Sequence, residues 1–310
     1  MNNKLISVIL PVFNESGGLG IFYNQLEDII NNLPYNFEII FVNDGSSDNS
    51  LRILTSLHEK DKRVKIIDLS RNFGHQNALS AGIDYARGEA VVLMDVDLED
   101  NPEYLASFLD YWNKGYDVVY ARRIKRNVSG IRKICFDIFH KINRMISSVD
   151  TDAAGIFCLM GRKVVGHLQK LTERDKYIPG LRSWIGFKQI GIETVRGARY
   201  DNKPRVKLGN LFKLAFDSFT SFSTVPLKIS IFLGVLFSLF SLIGIGAVVI
   251  LKIFFKLAIQ GWASIVSIIL LLGGIQLICI GLQGEYLARV LNEVKNRPNY
   301  IVNDKIGFDD

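Results

Sequence analysis

The sequence predicts an α/β protein with a mostly parallel central sheet, followed by an amphipathic helix and a two-helix transmembrane hairpin. Three observations predict it. Short β-rich runs alternate with helical patterns through the first 120 residues, strongly polar motifs sit where those runs end, and two long charge-free stretches follow Lys228.

The strands are expected at 5–13, 37–44, 64–70, 90–97 and 117–122, with helices around 20–32, 47–60, 74–87 and 101–114. Near-continuous apolar strands joined by helices imply a parallel sheet covered on both faces. Ligands then bind beyond the carboxyl ends of the strands. Further along, Leu211, Ala215, Phe219 and Phe222 recur at helical spacing, with Lys213 and Asp217 off that face. Such a helix suits the plane of a membrane interface and leads through Pro226 into the first apolar run. That run, 229–251, would reach about 34 Å as a helix, enough to cross a hydrocarbon core of about 30 Å. A second, 257–284, carries Trp262 near one end as an interfacial anchor. The expected organisation is a cytosolic domain at 1–207, an amphipathic juxtamembrane helix at 208–227, spans at 228–251 and 262–284 joined by an extracytoplasmic loop at 252–261, and a cytosolic tail at 285–310. Both termini then lie in the cytoplasm of a multi-pass inner or plasma membrane protein.

Composition narrows the function. The net charge of +6 is unevenly spread: residues 1–110 carry 8 basic and 17 acidic side chains, 111–227 carry 22 and 9, and 228–310 carry 7 and 5. An acidic first third argues against a nucleic-acid partner, and a basic middle beside an apolar end suits phosphate ligands or an anionic lipid bilayer. Three cysteines, at 135, 158 and 279, are too few and too scattered for a disulfide framework or a zinc knuckle.

Four motifs carry the chemistry, each at a strand end: PVFNE at 11–15, NDGSSD at 43–48, SRNFGHQNALSAG at 70–82 and MDVDLED at 94–100. Together they outline one cleft. Asp95 and Asp97 offer hard oxygen ligands for Mg²⁺ or Mn²⁺, which keep open positions for phosphate oxygens. Asp44 and Glu15 can accept hydrogen bonds from a base or ribose, and Asn14 can donate or accept. After the fifth strand, ARRIKRNVSGIRK at 121–133 holds six basic residues, and a guanidinium fork suits a pair of phosphate oxygens.

These motifs resemble glycosyltransferase family 2, inverting nucleotide-sugar transferases of the GT-A type. The likeness continues through SFSTVPLK, the two apolar runs and GEYLARVLNEVKNRPNYI into the branch that acts on polyisoprenyl phosphates. It implies a UDP-sugar donor, an undecaprenyl or other polyprenyl phosphate acceptor, and a role in modifying cell-envelope polysaccharide. By the same resemblance Pro11, Asn14, Glu15 and Asp44 hold the uridine part, and Arg71, Asn72, Phe73 and Gly74 form the floor of the donor site. Asp95 and Asp97 hold the metal and diphosphate, and Asp95 also belongs to the donor set. Arg123 and Arg126 match arginines of the branch and, with Arg199 and Arg205, are the candidates for the acceptor phosphate. One departure stands out. Relatives carry an Asp in a GDFRLM segment as the proposed base, whereas this chain reads GIFCLMGR and places Ile156 there. Asp152, or Asp150, is the candidate substitute. A phosphate monoester, with its second pKa near 6, needs little deprotonation at neutral pH.

Other expectations are weaker in kind. Gln276, polar within the second apolar run, is expected to face another helix and points to a homo-oligomer, a dimer or tetramer. A lipid-linked sugar made in the cytosol also calls for a small membrane flippase. Two competing functions remain open: a processive polysaccharide synthase, disfavoured because GLRSWIG is not the QxxRW motif of such enzymes, and a membrane-anchored nucleotide-sugar scaffold without turnover, motivated by Ile156.

Overall fold

The computed structural model describes residues 4–123, 155–174, 176–195 and 261–308, together with isolated positions between 230 and 250. Contacts divide the chain into two units, one formed by Met1–Arg205 with Arg297–Asp310 and the other by Val206–Asn296.

The first unit is built from β1 (Leu5–Val12), α1 (Leu19–Asn31), β2 (Asn36–Asn43), α2 (Ser50–Lys60), β3 (Val64–Leu69), α3 (His75–Tyr85), β4 (Ala90–Leu93), α4 (Tyr104–Asn113) and β5 (Val118–Arg123). β6 (Cys158–Gly161), α5 (Arg162–Lys170), α6 (Ile178–Ile185), β7 (Gln189–Thr194) and β8 (Val302–Ile306) follow. Among the described residues, one eight-stranded sheet contains every strand, in the order β7-β5-β6-β4-β1-β2-β3-β8. Its centre, β4-β1-β2-β3, is parallel, as the alternation of strands and helices implies. β6 runs antiparallel between β4 and β5, and β8 antiparallel on β3.

Burial on both faces explains why these strands read as unbroken apolar runs. Along β1, Ile6, Val8, Leu10 and Val12 enter one cluster with Leu19, Phe22 and Leu26 of α1, while Ile9 enters the other with Ala78 and Leu79 of α3. Side chains alternate across the sheet, so a strand covered on both sides must be apolar at every position. Gly82 lets α3 approach β1 closely, because a Cβ there would fall on Cγ2 of Ile9. At the opposite end of the sheet from the polar motifs, Glu38 is buried and held by Ser7 Oγ (2.5 Å), Lys65 Nζ (2.7 Å) and the Arg87 N–H (2.8 Å).

The C-terminal part differs from the sequence expectation. Instead of ending at residue 284, the second apolar helix, α7 (Trp262–Val294), continues ten residues further to Val294. Within the 285–310 segment, β8 pairs with β3 at the edge of the sheet. There Tyr300 Oη donates to Asp84 (2.8 Å), and Phe308 packs edge-on against Tyr85 at 5.5 Å. Among the described residues, one stretch, Leu271–Val294 within α7, is long and apolar enough to cross a membrane. A hairpin of two spans is therefore not established by the fold; most of the first expected span and all of the amphipathic segment lie outside the described residues. Large apolar side chains of α7, among them Ile265, Ile269, Leu277 and Ile278, are more than half exposed.

Candidate active site

The four loops that leave the parallel strands meet in a cleft of about 350 Å³ lined by Pro11, Glu15, Asp44, Asn72, Gly74, Asp95 and Asp97, with Val12, Phe13, His75, Ala78 and Val96. That volume lies within the usual range for small-ligand sites. Seven residues expected from the sequence thus share one pocket.

Two others do not. Asn14 turns away, in the left-handed region at φ 55, and bridges neighbouring loops: its Oδ1 accepts the Ser47 N–H (2.8 Å) and its N–H donates to Ser46 Oγ (3.0 Å). Arg71 lies over the Phe73 ring at 4.1 Å and donates to the Asn72 carbonyl. Both therefore brace the loops in this structure rather than line the cleft. Arg126, Asp152, Arg199 and Arg205 fall outside the described residues. Arg123 ends β5, and its side chain is likewise outside the description.

Hydrogen bonds tie the loops together. Asp48 Oδ2 accepts the Ser16 N–H and Oδ1 the Ser50 N–H; burial would raise its pKa, but these bonds to Ser50 and Ser16 hold it down to about 2. Asp44, 3% exposed, spends both carboxylate oxygens on one loop, accepting the Phe73 N–H (2.7 Å) and the Gly74 N–H (3.0 Å). Gly45 (φ 63) makes this possible, because a Cβ there would lie 2.4 Å from the Arg71 carbonyl carbon. Asp44 is thus a clamp for the 71–74 loop as well as a wall of the cleft.

Beyond β4, Asp97 is 7% exposed and accepts the Glu99 N–H (3.0 Å). The next residue, Leu98, has φ 64. A leucine in the left-handed region is strained, and such strain gathers at functional sites. His75 Nε2 lies 2.8 Å from Asp95 Oδ1. Burial pulls the imidazole pKa down, but the bond to Asp95 and the charges of Asp95, Asp44 and Asp97 outweigh it, so the net shift is upward. Its place as the first residue of α3, directly after the Gly74 turn, sets it at the cleft.

Among the described residues, no group of three or more His, Cys, Asp or Glu side chains could hold a metal ion. Two carboxylates in an open cleft nevertheless fit a hard cation that takes its remaining ligands from water and phosphate oxygens. Ile156 packs against the second apolar cluster. Sequence reasoning missed Arg182 of α6, which is 1% exposed, lies over the Tyr120 ring at 4.9 Å and donates to the Gly155 carbonyl (3.2 Å). It braces the start of β6 next to Ile156.

A mostly parallel sheet with this strand order and a carboxylate-rich cleft at its strand ends defines an α/β transferase of the GT-A type. The glycosyl transferase family 2 model matches residues 7–168, and the chain belongs to that family. It is 40% identical over 98% of its length to the uncharacterized glycosyltransferase YkcC of Bacillus subtilis, covering 94% of that protein. It is 37% identical over 96% of its length to the SfII prophage-derived bactoprenol glucosyl transferase of Shigella flexneri, covering 97% of it. In fold it is similar to glucosyl-3-phosphoglycerate synthase from Mycobacterium tuberculosis, solved with Mn²⁺, UDP and phosphoglyceric acid. The TM-score is 0.50 at 16% identity, over 70% of this chain and 76% of that one.

Proposed function

We propose that this glycosyltransferase moves a hexose or N-acetylhexosamine from a UDP-sugar to polyprenyl phosphate, such as undecaprenyl phosphate, at the cytosolic face of the inner or plasma membrane. The observation that carries the reading is the convergence of Glu15, Asp44, Asp95 and Asp97 in one cleft, in a chain whose near-full-length relatives include proteins named bactoprenol glucosyl transferase.

In this reading Pro11, Glu15 and Asp44 hold the uridine part, and Asn72 and Gly74 form the floor of the donor site. Asp95 and Asp97 are the residues that would hold Mg²⁺ or Mn²⁺, which supplies charge neutralisation for the departing diphosphate. His75 steadies Asp95 from the side. An acceptor phosphate oxygen forms a bond to the anomeric carbon as the bond to the diphosphate oxygen breaks; that electron pair leaves with UDP, and the configuration inverts. The nucleophile is already largely ionised at neutral pH, so Ile156 costs little in proton transfer, and positioning supplies the rate. Arg123, Arg126, Arg199 and Arg205 are the proposed acceptor-phosphate ligands, and Asp152 the proposed substitute base.

Attachment to a membrane is part of the same proposal, and the apolar stretch Leu271–Val294 of α7 supports it. Val206–Asn296 is flanked on both sides by residues of the sheet unit, which favours two crossings, near 228–251 and along α7, with both termini in the cytoplasm as the proposed arrangement.

The test is transfer in vitro. Purified full-length protein, radiolabelled UDP-sugars and undecaprenyl phosphate are expected to yield a solvent-extractable labelled lipid that disappears with EDTA. Nucleotide-sugar binding without turnover across the common UDP-hexoses and UDP-N-acetylhexosamines would instead favour the scaffold.

A further inference from the structure

The last described strand, β8, pairs with β3 beside the start of the 70–74 loop, a contact that no motif in the sequence announces. Asp68, the penultimate residue of β3, is 9% exposed. Its two oxygens go to different strands: Oδ1 accepts Asn43 Nδ2 of β2 (2.7 Å), and Oδ2 accepts Asn303 Nδ2 of β8 (3.0 Å). Asn43, 2% exposed, directly precedes the Asp44 clamp. A polar ladder therefore runs from β8 through β3 to β2 at the level where the chain enters the cleft loops.

The backbone makes a second link. The register between β3 and β8 shifts between Asp68 and Leu69, the last two residues before the 70–74 loop. Asp68 faces Asp304 and Leu69 faces Val302, so Asn303 is the extra residue, on β8; bulges re-aim a side chain and gather next to functional sites. One residue further, the Ser70 N–H donates to the Ile301 carbonyl (3.0 Å). The loop that follows is thus held from two sides. Ile301 fixes its start, and Asp44 with Gly45 fixes its far end through Phe73 and Gly74. Asn72, Gly74 and His75, all cleft residues, lie on that held segment.

We infer that β8 is part of the donor-binding apparatus: Asn303, through Asp68, and the Ile301 carbonyl, through Ser70, set the 70–74 loop for the nucleotide diphosphate. Asn303 is then a positioning residue that touches no substrate. The inference rests on the proposal that the cleft takes a UDP-sugar, and it adds that the site is complete only when residues following the apolar helix have returned to the sheet. A strand that merely covered the β3 edge would stabilise the fold without altering the loop.

Exchanging the ladder's polarity separates these cases. Asn303→Asp sets a second carboxylate against Asp68 and breaks the ladder, whereas Asp68→Asn with Asn303→Asp rebuilds it, since Asn at 68 accepts from Asn43 and donates to Asp at 303. Two readouts are taken on full-length protein at a temperature where circular dichroism finds each variant folded: UDP affinity by calorimetry, and hydrogen exchange of the Phe73 and Gly74 amides without nucleotide. Asn303→Asp is expected to weaken UDP binding about tenfold, the scale of one hydrogen bond to a charged group, and to speed exchange at both amides. The double exchange is expected to restore both. Asn303→Asp with a lowered melting temperature but unchanged UDP affinity and unchanged exchange would overturn the inference. Faster exchange in a protein whose parent binds no UDP would uphold the loop linkage and defeat the donor reading instead.

Discussion

Glu38 illustrates what a single buried charge does in this fold. Burial alone would raise its pKa, but Lys65, Ser7 and the Arg87 N–H outweigh that and hold it below 4.5. A depressed carboxyl contributes stability that is present above its unfolded value and lost as pH falls through the folded one. Glu38→Gln is therefore expected to cost about 1.5–3 kcal/mol at pH 7, because Lys65 loses a hydrogen bond to a charged partner. The same variant should show a flatter loss of stability below pH 4.5 than the parent, measured by urea unfolding across the acid range. Residues at the cleft were legible for a different reason. Asp44, Asp95 and Asp97 stand directly at strand ends, where the topology leaves little choice but the cleft. Asn14 and Arg71 stand in the same motifs, yet their side chains serve adjacent loops; motif membership does not say which way a loop side chain turns. Asn303 was illegible because its partner, Asp68, is 235 residues away.

At the scale of elements, hydrophobic patterning located β1 to β5 and α1 to α4 within a few residues, since each carries a full apolar face into one of the two clusters. The short pieces escaped. β6 and β7 have four and six residues, and β8 reads VNDKI, three polar residues in five, as suits an edge strand. Its pairing comes from β3 rather than from its own composition. Helix packing makes a sharper prediction. With Ile9 fully buried and a Cβ at position 82 meeting its Cγ2 at 2.2 Å, Gly82→Ala must push α3 off β1. Overpacking of this kind costs about 1–3 kcal/mol, to be read as a lower urea midpoint with an unchanged slope. Because α3 opens with His75, the loss of stability should be accompanied by weaker UDP binding.

For the whole molecule, the acidic first third, the basic middle and the apolar end have separate tasks. The first contributes the cleft carboxylates, and the last holds α7, whose large apolar side chains lie bare along its length. The chain then comes back, and its final strand completes the sheet from which the cleft loops spring. The identity of the sugar is not written in any motif, because hydroxyl selectivity depends on side chains that meet only in three dimensions. The central claim is that one sugar is placed on a polyprenyl monophosphate, and mass spectrometry of lipids from cells expressing the protein tests it most directly. Undecaprenyl monophosphate bearing a single hexose or N-acetylhexosamine, absent when Asp97→Asn replaces the parent, is the expected result. No such lipid, a polymeric product, or the same lipid from the Asp97→Asn cells would contradict it.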